Sequence, residues 1–166
     1  NVSLNAVAGP TIELTSTTSA QLNVDPVAGK SVNAIRLFPG RGTLVWGART
    51  LAGNDYDWRY VNVQRFVSFV EESITKATGH FTVEPNDATT WVTVQAMIEN
   101  FLATQWRAGA LQGAKPEQAY YVRLGLGQTM TSRDVLEGRM IIEIGLAAVR
   151  PAEFSILRIT QLMNPP

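Results

Sequence analysis

The side chains able to do chemistry are few, and their spacing suits none of the common reactions. His80 is the only histidine and there is no cysteine, so the sequence offers no thiolate nucleophile and no disulfide framework. A metal at His80 would need several carboxylates around it, and their spacing provides none. A Ser or Thr nucleophile would need a base, and His80 has no recognisable partner motif. Glu71 and Glu72 are adjacent; on a helix they diverge by about 100° and cannot face one substrate as acid and base. Gly29-Lys30-Ser31 matches the end of a phosphate-binding loop, but Val24 stands where that motif needs glycine, and Asp25-Pro26 interrupts any passage from strand to helix. Gly125-Leu126-Gly127 is half of a dinucleotide fingerprint and reads as a loop. Neither an enzyme nor a cofactor is expected.

The arginines are the more informative set. There are eleven (36, 41, 49, 59, 65, 107, 123, 133, 139, 150 and 158) against three lysines (30, 76 and 115). Guanidinium pairs bidentately with carboxylates and is weakly hydrated, so Arg is enriched and Lys depleted at protein interfaces; a genomic bias toward arginine codons is the other explanation. Arg36, Arg41, Arg49, Arg59 and Arg150 are interface candidates. Of the four tryptophans, Trp46 and Trp91 fall on apolar stretches and are expected in the core. Trp58, between Asp57 and Arg59, is an interface anchor candidate. An alternative from another class is a soluble binding module that uses the Trp58 region for a small ligand.

The 166 residues suffice for one domain with a core, or one domain plus an arm. Charged residues make up 17%, against roughly 25% in ordinary soluble domains. Formal net charge is zero, which gives a free monomer little electrostatic protection against association. Low charge and the preference for Arg point to an assembling subunit. The even balance argues against nucleic acid as the main partner. No apolar run reaches about eighteen residues, so membrane insertion is not expected, and folding in the cytoplasm is the default.

Alternating strands and helices predict an α/β fold, a mixed β-sheet flanked by helices. Asn1 to Val32 is Ser-, Thr-, Ala- and Asn-rich and reads as an arm or interdomain connector, with a short strand at Thr11–Thr15 and little helix. From Asn33 to Leu51 the chain packs the Pro39-Gly40 turn, of type II character, against the β-prone run Thr43–Trp46. Asn62 suits the cap of a helix whose apolar residues fall at 63, 66, 67, 70, 74 and 77. His80–Glu84 alternates as a strand. Asn86 or Asp87 caps a second long helix to Ala108, with Trp91, Val94, Ile98, Phe101 and Leu102 on its buried face and Gly109 as its stop. Residues 119–124 form a strand, and Thr131 with Asp134 opens a short helix as a capping box. Arg139–Val149 is a central strand, and Phe154–Ile159 a last one after Arg150-Pro151.

The run Phe38-Pro39-Gly40-Arg41-Gly42-Thr43-Leu44-Val45-Trp46-Gly47-Ala48-Arg49-Thr50 resembles the start of the C-terminal domain of contractile tail sheath proteins of phage tails, R-type pyocins and phage-like injection systems. Trp58–Val63, Glu84–Asp87, Glu99–Leu102 and Val149–Phe154 extend the resemblance in order, and its wording is most like the antifeeding-prophage type of injection particle. The resemblance implies a fragment of a longer subunit: a conserved, tube-proximal sheath domain at 33–150, an arm or connector at 1–32 and a C-terminal strand or arm at 151–166. It implies a structural subunit that polymerises as stacked helical rings around an inner tube, together with baseplate and terminator or cap proteins. Contraction would then drive the tube through a target envelope. Assembly would take place in the bacterial cytoplasm, for a virion or an extracellular particle. Because that family exchanges terminal arms that complete neighbouring sheets, Phe154, Ser155, Ile156, Leu157, Arg158 and Ile159 are expected to form an inter-subunit strand. Lys76, Arg107 and Lys115, near helix ends, are candidates for meeting an acidic tube.

Overall fold

A computed structural model describes residues 2–23, 25, 27–52, 55–149 and 155–163. The chain forms two units, Asn1–Arg65 and Phe66–Pro166. The α/β class holds, with the strands in two antiparallel three-stranded sheets in place of one mixed sheet.

The first unit is built on a hairpin of β2 (Ala34–Phe38) and β3 (Gly42–Trp46), with the two-residue β1 (Val2–Ser3) on the other side of β3. Pro39 presets the turn and Gly40 takes φ +73°, a left-handed value that glycine accepts without cost. The Arg41 amide donates to the Phe38 carbonyl at 3.1 Å, closing the turn as expected. β2 was not foreseen as a strand: Arg36 breaks its apolar run, while pairing with β3 from Ala34↔Trp46 to Phe38↔Gly42 supplies the backbone partners. Asn33 then clamps the exit of the hairpin, donating to the Arg49 carbonyl at 2.8 Å and accepting from the Arg49 amide at 2.9 Å.

Two expectations for this unit, the strand at Thr11–Thr15 and Trp46 in the core, are corrected. Thr11–Thr15 is not a strand: the Thr15 hydroxyl accepts from the Thr18 amide at 3.1 Å and so caps α1 (Ser16–Asn23), a helix not foreseen. Ser31 belongs to no phosphate loop; its hydroxyl is spent on the Asn23 carbonyl at 2.6 Å. Trp46 is 36% exposed at the strand end, its ring 4.7 Å from that of Phe38, and is not a core residue.

The second unit takes in most of α2 (Val61–Thr78), a 3-10 turn (Gly79–Val83), α3 (Ala88–Arg107), the short α4 (Pro116–Ala119) and α5 (Ser132–Leu136), with β4 (Tyr120–Arg123), β5 (Arg139–Leu146) and β6 (Ser155–Leu162). The helical stripes were legible: Val63, Val67, Val70 and Ile74 on α2, and Val94, Ile98 and Leu102 on α3, are buried. Asp87 caps α3 by accepting from the Thr90 amide at 3.0 Å, and Thr131 with Asp134 forms the expected capping box. α2 begins before Asn62, which lies inside it. His80–Glu84 is no strand: the chain between two helices tightens into the 3-10 turn, with the Thr82 hydroxyl on the Gly79 carbonyl at 2.9 Å.

The sheet order is β4-β5-β6. α3 packs against β4, and α5 against β5. Met140, Ile142, Ile144 and Leu146 of β5 have no exposed surface, and each contributes roughly 1.5–3 kcal/mol by leaving water. No helix among the described residues is long and apolar enough to cross a membrane.

Candidate functional site

β6 contains most of the expected inter-subunit strand. Phe154 lies outside the described residues, whereas Ser155 to Ile159 are in the strand, which runs on to Leu162. Within this single chain β6 pairs along its length with β5, from Leu146↔Ser155 to Arg139↔Leu162. Among the described residues, the far edge of β6 and the far edge of β4 have no partner strand. Such edges present open backbone donors and acceptors.

A charged row crosses the sheet. The register sets Arg123 of β4, Glu143 of β5 and Arg158 of β6 side by side. The Glu143 side chain is only 15% exposed; Arg158 Nη2 reaches its Oε2 at 3.2 Å, and Arg123 Nη1 its Oε1 at a longer 3.5 Å. The Tyr121 ring lies beside this row, with the Arg123 guanidinium 4.8 Å from its centre and its hydroxyl 3.5 Å from Glu143 Oε1. It covers Gly145 so closely that a Cβ there would stand 2.1 Å from Tyr121 Cε1. At the start of β5, Arg139 bridges Asp134 and Glu137, each at 2.7 Å. The Asp134 carboxyl is held down at about 2, first by the Thr131 hydroxyl and amide and then by Arg139.

The interface arginines of the first unit are held by rings rather than by carboxylates. Arg59 lies 4.4 Å from the Tyr56 ring centre and 5.6 Å from that of Tyr60, which Arg49 also approaches at 5.6 Å. Arg36 lies 5.1 Å from the ring centre of Phe38. The Nε atoms of Arg36 and Arg59 are buried without a hydrogen-bond partner, while Arg41 is exposed in the hairpin turn. Trp58 is half-buried, its amide bonded to Asp55 Oδ1 at 3.1 Å and its carbonyl to the Thr50 hydroxyl at 2.6 Å. Arg150 lies outside the described residues. Among the described residues, every ion pair falls in the second unit.

The three candidates for a tube-facing role divide. Lys76, in the last turn of α2, pairs with Glu72 at 2.6 Å, both side chains exposed. Arg107 closes α3, twenty residues and so about 30 Å from that helix's start. Lys115 shares the Arg107 end, because the Trp106 indole donates to the Gly113 carbonyl at 2.9 Å and folds the intervening loop back. Arg107 also acts on the Tyr120 phenol, whose pKa is raised by burial and then by Glu99, with Arg107 opposing.

The family model for the phage tail sheath C-terminal domain matches residues 54–161. The chain belongs to that family. A chain in the cryo-EM structure of the anti-feeding prophage baseplate, six-fold symmetrised, shares 47% identity with this sheath domain at a TM-score of 0.83, over 98% of this chain and 44% of that one. A chain of the PVC sheath complex, an extracellular contractile injection system in its contracted state, shares 45% at a TM-score of 0.78, over 92% and 42%. The sheath tail protein from Listeria innocua shares the fold, at 12% identity and a TM-score of 0.65, over 90% and 34%. The domain thus spans less than half the length of these relatives. No curated protein matches by sequence. The family match includes Trp58, and the small-ligand alternative finds no support.

Sequence reasoning missed the row and the Tyr121–Gly145 contact. A signal for the row was present: Glu143 is the one acid in a β-prone run, and both other expected strands of this sheet carry an arginine, Arg123 and Arg158.

Proposed function

We propose that this is the inner, tube-proximal domain of a contractile sheath subunit, which polymerises as stacked helical rings around an inner tube and shortens to drive that tube through a target envelope. The carrying observation is the family match over residues 54–161. Identity of 47% and 45% with chains of the anti-feeding prophage baseplate and the PVC sheath complex supports a subunit of an extracellular phage-tail-like particle, assembled in the cytoplasm. Copies of the chain, the tube protein, the baseplate and a terminator or cap protein are its partners. Its work is mechanical, not catalytic.

Such a device keeps its subunits linked while other contacts change between two states. The links are exchanged strands: β6 of one subunit takes the place beside β5 of a neighbour. In this reading residues 1–32 act as an arm or connector, 33–150 as the sheath domain and 151–166 as the exchanged segment. The contacts that change are polar, made by Arg36, Arg41, Arg49, Arg59 and Arg150 with Trp58 among them. Arg107 and Lys115, sharing one end of the second unit, fit an acidic tube surface better than Lys76, already paired with Glu72.

These 166 residues have no cysteine, so an introduced pair meets no competing thiol within the domain. Ile141 and Thr160 are opposite each other, at a Cα spacing that a disulfide tolerates. Particles of the full chain carrying Ile141→Cys and Thr160→Cys, oxidised after electron microscopy confirms tubes, are expected to give a covalent ladder on a denaturing gel. Tubes that yield only cross-linked monomer refute exchange, and a chain that never forms rings or tubes with its tube protein refutes the sheath reading.

A further inference from the structure

Burial alone does not fix where β6 sits along β5. The buried face of β5 is uniform, since Met140, Ile142, Ile144 and Leu146 all lack exposed surface. β6 places Leu157 and Ile159 at the register positions opposite Ile144 and Ile142. Sliding β6 by one residue would turn every side chain to the wrong face, but sliding it by two keeps the faces. After a two-residue slide, Leu157 and Ile159 still stand opposite buried apolar positions of β5. At these two positions hydrophobic pairing therefore accepts several registers, although the slide that brings Leu162 opposite Ile141 also sets the polar Gln161 opposite Ile142.

The charged row does not. Only in the observed register does Arg158 stand opposite Glu143. A two-residue slide brings Thr160 or Ile156 there instead. Glu143, 15% exposed, would keep only the Arg123 and Tyr121 hydroxyl contacts, both at 3.5 Å, beyond the usual range for a strong charge-assisted bond. The Tyr121 ring packed over Gly145 closes one side of the carboxylate, so water replaces the lost guanidinium poorly and the bare acceptor is penalised.

The geometry points to Glu143 as the group that reads the register of the last strand, admitting a β6 only when its arginine falls opposite. The partner is β6 of a second copy of this chain under the exchange reading on which this inference builds. The register itself is the same whichever copy supplies the strand. A single register matters in a helical polymer, because a slide of two residues, about 7 Å, at one junction would offset every subunit beyond it.

The test uses two cysteine pairs in the assembled full chain. Ile141→Cys with Thr160→Cys reports the observed register. Ile141→Cys with Leu162→Cys reports a two-residue slide, since those positions are diagonal neighbours otherwise, too far apart for easy bridging. With the row intact, only the 141/160 pair is expected to form. Glu143→Gln, which keeps the shape and removes the charge, is expected to raise the 141/162 product roughly tenfold, the factor equivalent to about 1.4 kcal/mol. Moving the arginine, by Arg158→Thr with Thr160→Arg, is expected to raise the 141/162 yield to about that of the 141/160 pair in the parent. A 141/162 yield unchanged in Glu143→Gln overturns the inference, even if the moved-arginine variant fails to fold. Whether products join one chain or two is a separate readout and reports only on exchange.

Discussion

Asn86→Ala should unfold the second unit more readily than its modest size suggests. Asn86 is 1% exposed and stands just before the cap of α3. Its Oδ1 accepts from the Trp91 indole at 2.7 Å, and its Nδ2 reaches the carbonyls of Val135 at 3.4 Å and Arg139 at 3.3 Å. One amide thus ties the start of α3 to the end of α5 and the beginning of β5. Alanine removes all three contacts and leaves a small void. The indole bond is short and contributes about 1–1.5 kcal/mol, the two long carbonyl contacts less, and each polar group left bare inside adds a penalty. The total is roughly 2–4 kcal/mol, a large share of the roughly 5–15 kcal/mol by which domains are stable. Urea unfolding followed by far-UV circular dichroism measures it, with the midpoint moving and the slope unchanged. Trp91→Phe removes the indole donor alone, and a cycle with Asn86→Ala should show a coupling of about 1 kcal/mol. A loss below about 1 kcal/mol for Asn86→Ala, or single effects that simply add, would refute the clamp.

Two further outcomes follow from the second unit. Gly145→Ala should cost about 1–3 kcal/mol by overpacking, because the new Cβ meets the Tyr121 ring at 2.1 Å; adding Tyr121→Ala should recover most of the lost melting temperature, and a Gly145→Ala chain as stable as its parent would show that the ring does not rest there. The Asp134 carboxyl, lowered from 3.8 to about 2, stabilises the fold above its unfolded pKa of about 3.9, and that contribution is lost as pH falls toward 2. Asp134→Asn should therefore flatten the acid limb of the stability profile between about pH 4 and 2, and a carboxyl resonance with a midpoint near 4 by NMR would contradict the capping-box geometry.

What could be read from the sequence was whatever one element decides for itself. The α2 and α3 stripes, the Pro39-Gly40 turn, the Thr131–Asp134 capping box and the β5 run each carry their signal within a few residues. β2 and α1 were missed because their context decides them: Arg36 interrupts an apolar pattern that pairing with β3 rescues, and Thr15 caps α1 through the Thr18 amide in place of joining a strand. His80–Glu84 alternates like a strand but is taken up by a 3-10 turn. The arginines stood out by number, yet the sequence did not show that Arg49 and Arg59 share Tyr60, or that Arg123 and Arg158 share Glu143.

That difference between the two sets of arginines carries a physical division of labour. In the second unit, guanidiniums are committed: Arg139 to Asp134 and Glu137, and Arg123 and Arg158 to Glu143. Pairs of this kind favour one arrangement, since breaking a half-buried one leaves an acceptor bare. In the first unit, Arg36, Arg49 and Arg59 rest on aromatic rings, which hold the planar group in place and leave donor hydrogens unspent. The Nε atoms of Arg36 and Arg59 are out of water and without a hydrogen-bond partner. In the proposed sheath some contacts persist and others are traded, and ring-held arginines suit the second kind, although Arg123 both pairs with Glu143 and lies over the Tyr121 ring. Replacing the rings under Arg59 should therefore weaken assembly while leaving the β5–β6 register untouched, and a loss of register in such a variant would show that the two sets are not independent.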